Sequence, residues 1–323
     1  MMRQPQPLQF QCPMTDTATR PTAAEATDRE SWIAALEALT EEEGYVEPLG
    51  EAHWAFFTDL GTTLLVSFET RESAMARPDR MPQGNALAVK RGWSHLAILA
   101  EGETWWRDPA VWAYFDRLVD DAFFEDFDRV LFYGAGAGGY AACAYSVTAP
   151  GAQVLALSPR ATQSPALAGW DRRDMAARRK DFTSRYGYAP DMTEGAGQVA
   201  ILFDPTVAED AMHAALFRAP WVTLLPMRLM KDRLDWALHH TGILGEVLDL
   251  AMAGRLGGFT FAQLWRKRRS FGPYIEALLD RTEAQGRRGL TIMAARSITR
   301  RLKAPRVARR LEKLLRRSGE AEV

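Results

Sequence analysis

Short apolar runs bounded by polar turns recur along this chain. They are Thr62-Thr63-Leu64-Leu65-Val66-Ser67-Phe68, Leu96-Ala97-Ile98-Leu99, Arg129-Val130-Leu131-Phe132-Tyr133, Val154-Leu155-Ala156-Leu157, Val199-Ala200-Ile201-Leu202-Phe203 and Trp221-Val222-Thr223-Leu224-Leu225. Runs of this length, apolar throughout, predict strands buried on both faces. Segments with the helical period stand between them. Trp32, Leu36 and Leu39 share one face, as do Trp112, Phe115, Leu118 and Val119, with Pro109 suited to a first turn; residues 209–217 read as another helix. Strands alternating with helices predict an α/β fold: a mainly parallel sheet with helices on both faces, with six or more strands between residues 45 and 226.

The pattern changes at both ends. Residues 1–30 hold Pro, Gln, Thr and Ala without a hydrophobic period and read as a flexible tail. One basic residue near the start and no apolar run set this stretch apart from a secretory signal, and translation from Met14 would remove Cys12. Beyond residue 255 the strand-like runs stop, and three amphipathic helices are predicted around residues 274–281, 290–302 and 307–315. The expected organisation is a tail over 1–30, an α/β body over 31–254 and a basic helical region over 255–323.

Charge sharpens that division. The formal charge of -1 averages 18 Lys and Arg against 6 Asp and Glu in residues 255–323, a net +12, with 22 against 35 elsewhere, a net -13. The simplest expectation is a basic face docked on the acidic body; the competing one is nucleic acid or anionic lipid bound through the basic helices. No apolar run approaches the roughly 20 residues of a membrane span. The two cysteines, Cys12 and Cys143, cannot build a disulfide framework, which points to a reducing, cytoplasmic setting. Five histidines without H-E-x-x-H or paired Cys/His spacing give no reason to expect a metal.

The strongest local signal is a strand followed by Gly134-Ala135-Gly136-Ala137-Gly138-Gly139 and then a small-residue helix beginning near Tyr140. Gly134, Gly136 and Gly139 satisfy G-x-G-x-x-G, but the next strand ends at Ser158-Pro159-Arg160 with no carboxylate for a ribose. A nucleophile elbow, G-x-S-x-G, also fits, with Gly136 standing where serine would be.

The segment YGAGAGGYAA resembles the elbow of α/β-hydrolase-like bacterial proteins with a G-x-S-x-G-G-Y-A-A pattern. The stretch from WSHLAIL through RYGYAPDM is similar to a group of alphaproteobacterial proteins whose elbow is Gly-rich, and the resemblance spans residues 45–245. It implies an α/β-hydrolase-like sheet, with Gly136 at the nucleophile position, Asp204 at the acid and His239 or His240 at the base. Proteins of this kind are sometimes labelled phosphoadenosine phosphosulfate reductase, yet no S-G-G-x-D-S loop or tail cysteine is present.

Glycine cannot attack a carbonyl, and Cys143 lies about two helical turns beyond it. The amides of Ala137 and Gly138 remain as an oxyanion-type pocket with Gly134 and Gly136, a second donor being expected at Thr70 or Arg71. Trp105, in the segment Glu103-Thr104-Trp105-Trp106-Arg107, suits either a pocket wall or the core, and Trp170-Asp171-Arg172-Arg173 suits a cap over the site. His95 reads as structural, and Asp210 with His213 as a surface pair.

The expected protein is a non-catalytic pseudo-hydrolase that binds a small anionic or carbonyl ligand or a protein partner and needs no cofactor. Two alternatives stand beside it. One is an active hydrolase or acyltransferase using Asp204 with His239 or His240. The other is a nucleotide-dependent oxidoreductase.

Overall fold

The computed structural model describes residues 23–316. Most of the expected tail, with Cys12 and Met14, lies outside the described residues. Within the described residues, packed structure is present before residue 31: Ala23 is buried, and α1 (Arg29–Thr40) opens on a capping box in which the Asp28 carboxylate accepts the Ser31 amide and the Ser31 hydroxyl accepts the Asp28 amide.

Eight strands form one sheet: β1 (Gly44–Pro48), β2 (His53–Thr58), β3 (Thr63–Thr70), β4 (Ser94–Ala100), β5 (Arg129–Ala135), β6 (Gln153–Leu157), β7 (Gln198–Phe203) and β8 (Val222–Pro226). Their order is β1-β2-β4-β3-β5-β6-β7-β8, with β2 antiparallel to both neighbours and β3 to β8 parallel. The period of two sorts each strand between two cores. Val130 and Phe132 of β5 join Phe68, Tyr140 and Tyr145 on one face, while Leu131 and Tyr133 join Leu155, Leu234 and Leu248 on the other.

Between the strands run α2 (Arg71–Met75), α3 (Asn85–Arg91), α4 (Pro109–Asp120), α5 (Ala137–Tyr145), α6 (Pro165–Ala168), α7 (Ala189–Met192) and α8 (Ala208–Leu216). Pro109 fills the first turn of α4 as expected, and Asp108 caps it through the Ala110 amide at 2.8 Å; the buried stripe is Val111, Tyr114, Phe115 and Leu118, so Phe115 and Leu118 lie on it as expected whereas Val119 is exposed. Each large side chain so buried contributes on the order of 1.5–3 kcal/mol. After β8 come α9 (Leu234–His240), α10 (Leu244–Met252), α11 (Gly258–Leu264), α12 (Gly272–Ala284), α13 (Arg288–Arg301) and α14 (Pro305–Arg316). No helix among the described residues is long and apolar enough to cross a membrane.

The chain is an α/β-hydrolase-like fold with a basic C-terminal helical appendage. Two expectations about the appendage change. Leu256, Phe261 and Trp265 pack into the body's core with Leu225 and Leu248, whereas Ile275, Leu279, Ala295, Ile298 and Val307 form a separate small core. The body's core therefore continues past residue 255, with Phe271 and Tyr274 also packed against it. Nor is the basic face docked on the acidic body. Among the described residues only Lys267–Glu246, at 3.4 Å, pairs a cation of the appendage with the body; Arg306–Glu276, Arg310–Asp280 and Arg310–Glu283 are internal. Solvated ion pairs contribute about 0–1 kcal/mol each, too little to pull arginines onto a distant face.

Two histidines of the sheet are neutral in the fold. His95 Nε2 lies 2.8 Å from the Ser67 hydroxyl and His53 Nε2 lies 2.7 Å from the Thr104 hydroxyl; burial pushes His95 down to about 3 and His53 down to about 4. The unfolded chain binds the extra protons below its ordinary value near 6.5, so stability is complete at pH 7 and falls as pH drops towards 4. Each histidine contributes a slope of up to about 1.4 kcal/mol per pH unit. Urea midpoints measured from pH 7 to pH 4.5 are expected to decline, and His95→Gln is expected to flatten that decline.

Candidate functional site

The chain leaves β3 towards β4 on one side and leaves β5 towards β6 on the other, so the carboxyl ends of β3 and β5 flank the switch point where an open parallel sheet leaves a crevice. The glycine turn sits there. α5 begins at Ala137, three residues before the expected start, because the turn itself is part of its first coil.

The three alternate glycines answer different constraints. A Cβ on Gly134 would stand 2.3 Å from the Gly138 carbonyl oxygen, and one on Gly138 would stand 2.4 Å from the Phe68 carbonyl oxygen. Gly136 has φ 57° and ψ -118°, but nothing lies within 4 Å of its would-be Cβ. Its amide donates to the Leu157 carbonyl at 2.8 Å, fixing the bend to β6. This is a strained strand-to-helix elbow with open space where a nucleophile would project.

Two small hollows flank Gly136. One, of 130 Å³, is lined by Ala137 and Gly138, whose amides open α5 without intrahelical acceptors, and by Glu69, Thr70, Gln83 and Glu103. Glu69 is buried, pairs with Arg77 and accepts the Gln83 amide at 2.9 Å; burial still holds its carboxyl above the usual range. Burial, and then Asp174 nearby, raises Glu103 in the same sense. Thr70 lines this hollow as expected, but its hydroxyl caps α2 through the Ser73 amide, and Arg71 is taken up by Glu101 at 2.5 Å.

The other hollow, of 140 Å³, brings Gly136 together with Ser158, Arg160, Arg173, Asp210, Asp232 and Asp235. Asp235 accepts the Tyr133 hydroxyl and the Gln83 amide group, each at 2.7 Å. Gln83, Tyr133 and Asp235 thus form a polar partition. Beyond it lies a 450 Å³ cleft between α3 and α9–α10, lined by Leu87, Lys90, His239 and Leu248.

The expected acid and base are not brought together. Asp204 is fully buried; one oxygen accepts the Thr206 amide and hydroxyl, both at 2.8 Å, and the other accepts the Lys231 amide at 2.7 Å. It ties the end of β7 to the loop after β8 and lines neither hollow. His239 opens on the cleft, and exposed His240 bonds the Trp236 carbonyl at 2.9 Å with its ring tilted against that indole. Neither histidine hydrogen-bonds to Asp204 in the described structure. The period of α9 turns them away, a geometry that spacing along the chain does not convey.

Trp105 is core rather than pocket wall. It is fully buried, donates to Asp174 at 2.8 Å and lies 5.2 Å beneath the Arg160 guanidinium, so Arg160 is what reaches the hollow. Trp105 and Trp106 adopt successive left-handed conformations, φ 60° and 52°. Asp210 and His213 are not a surface pair: both are buried, Asp210 bonded by Arg173 and His213 by Asp171 from the insertion between β6 and β7. His213 Nε2 donates to Asp171 at 3.0 Å, and its Nδ1 accepts the Ala161 amide. Burial lowers His213, while the His213 and Arg173 bonds overcome burial and hold Asp171 well below the carboxylate range. Cys143 is buried and its thiol pushed up, so it offers no thiolate.

No protein-family model and no curated protein matches this chain. Among solved structures it is similar to carboxyl esterase 2 of the mycorrhizal fungus Tuber melanosporum, at 10% identity and TM-score 0.42 over 67% of this chain and 89% of that one. An esterase of Pyrobaculum calidifontis is similar at 13% identity and TM-score 0.42, over 71% and 93%. The capsule O-acetyltransferase of Neisseria meningitidis serogroup A is similar at 11% and 0.37, over 61% and 92%. The strand order and the elbow, not these distant likenesses, carry the description of the fold.

The glycines give a direct test. Gly136→Ala adds a methyl into open space and is expected to cost only its left-handed φ, about 1–2 kcal/mol. Gly138→Ala drives a methyl into the β3 backbone and is expected to cost more than 4 kcal/mol or abolish folding (roughly the limit of single-site losses). Thermal melting of the two variants checks the order.

Proposed function

We propose that this protein is a non-catalytic member of the α/β-hydrolase-like architecture that binds a small ligand at the elbow. The observation that carries the reading is the bend at Gly136: the turn is complete, the space above it is open, and Gly136 itself has no side chain to act as nucleophile. The amides of Ala137 and Gly138 suit a carbonyl oxygen. Glu69, Glu103, Asp232 and Asp235 line the same two hollows, so a ligand carrying hydroxyl or N–H donors beside its carbonyl fits better than a highly charged anion. That narrows the anionic-or-carbonyl ligand expected from sequence towards the neutral carbonyl.

The hydrolase alternative relies on Asp204 and a histidine acting without an elbow nucleophile, and three donors already occupy the Asp204 oxygens. The nucleotide alternative relies on Ser158 and Arg160 meeting a phosphate. Arg160 lies over Trp105 and 3.5 Å from Asp171, which leaves it partly neutralised.

Fluorophosphonate labelling and aryl-ester turnover test the reading in wild type and Gly136→Ser. Neither is expected to label or turn over, because a serine at 136 would have no imidazole to activate it. Wild-type turnover with kcat/KM on the order of 10⁴ M⁻¹ s⁻¹ or more, abolished by Asp204→Asn, would establish an enzyme instead.

A further inference from the structure

We propose that the outer face of α13, with the basic turn after α11, is a docking surface for an anionic phospholipid bilayer. α13 buries Thr291, Ile292, Ala295 and Ile298 against its neighbours. Its opposite ridge carries Leu290, Met293, Arg296 and Arg300, recurring three or four residues apart, with Arg301 beside them, all exposed. At 1.5 Å per residue this ridge runs about 16 Å. Its amino-terminal half is apolar and its carboxyl-terminal half cationic.

None of Arg296, Arg300 and Arg301 makes an ion pair with the described residues. The two most exposed large apolar side chains among the described residues, Phe259 at 74% and Met293 at 61%, both lie within the basic stretch 255–323, the first on α11 beside the body and the second on α13. Phe259 on α11 is followed seven residues later by the exposed Arg266 in the basic turn after that helix.

A phosphodiester surface satisfies the arginines whether it belongs to lipid or to nucleic acid. The apolar groups separate the two sources. A duplex would leave Leu290 and Met293 in water, and the α13 ridge has no aromatic ring for an unpaired base. The headgroup–acyl boundary of a bilayer takes both kinds of side chain at once. Charge asymmetry supplies orientation: the remainder of the chain, at -13, is repelled by the surface that attracts the +12 of residues 255–323.

The full chain is tested by co-flotation with vesicles of phosphatidylcholine alone and of phosphatidylcholine mixed with phosphatidylglycerol. Binding is expected to the mixed vesicles, to fade as salt rises, and to fall about fivefold for each charge removed in Arg300→Gln and Arg301→Gln. Leu290→Ser with Met293→Ser keeps the charge and is expected to weaken binding, with an unchanged melting temperature showing that the fold is intact. Absence of binding to the mixed vesicles overturns the proposal. So does binding indifferent to the two apolar replacements, or a duplex DNA that competes the chain off the vesicles and is itself bound equally well by the Leu290→Ser, Met293→Ser variant.

Discussion

The molecule depends on a close approach of backbone to backbone. α5 can begin where it does only because Gly134 and Gly138 lack side chains; any Cβ there would lie far inside van der Waals contact distance of a carbonyl oxygen. That contact sets the direction of α5 between the sheet and the insertion preceding β7. Tyr140 then reaches the Tyr186 carbonyl at 2.7 Å, and Tyr145 reaches the Trp106 carbonyl at 2.6 Å. Through these two hydroxyls the placement of one helix fixes two loops that surround the elbow.

The electrostatics of the elbow oppose one another. The start of α5 carries partial positive charge and unsatisfied amides, a setting that favours an anion. Around it stand carboxylates: Glu69 tied to Arg77, and Asp235 tied to Tyr133 and Gln83. Hydrogen-bonded in this way, Glu69 and Asp235 are held in place rather than free to swing onto the amides. A guest must satisfy donors and acceptors within a few ångströms, which is a demand on shape and polarity more than on net charge.

Much of the fold was legible because burial on both faces writes itself as continuous apolar runs, as in β5, β6 and β7. β1 was not, since Gly44-Tyr45-Val46-Glu47-Pro48 is half exposed and lacks such a run. The elbow was legible because close packing demands glycine at fixed spacing. Gln83 and Tyr133 were not, because a partition assembled from α3's approach, β5 and α9 leaves no local pattern. Asp204 showed the limit from the other side: its residue type and place in the chain order matched an acid, but the partners of a carboxylate are decided by loops that period and propensity do not describe. Trp105 was open between core and pocket, and only the packing of Arg160 across its face decides it.

Gly136 and Asp204 are constrained in different ways. At Gly136 the shape of the turn survives, so a hydroxymethyl group could be accommodated there with little rearrangement. At Asp204 the carboxylate has become a structural rivet between two strand ends, and freeing an oxygen for an imidazole would strip the Lys231 amide of its buried acceptor. The fold thus joins a position with room to spare to a carboxylate that could give up an oxygen only by loosening the loop after β8.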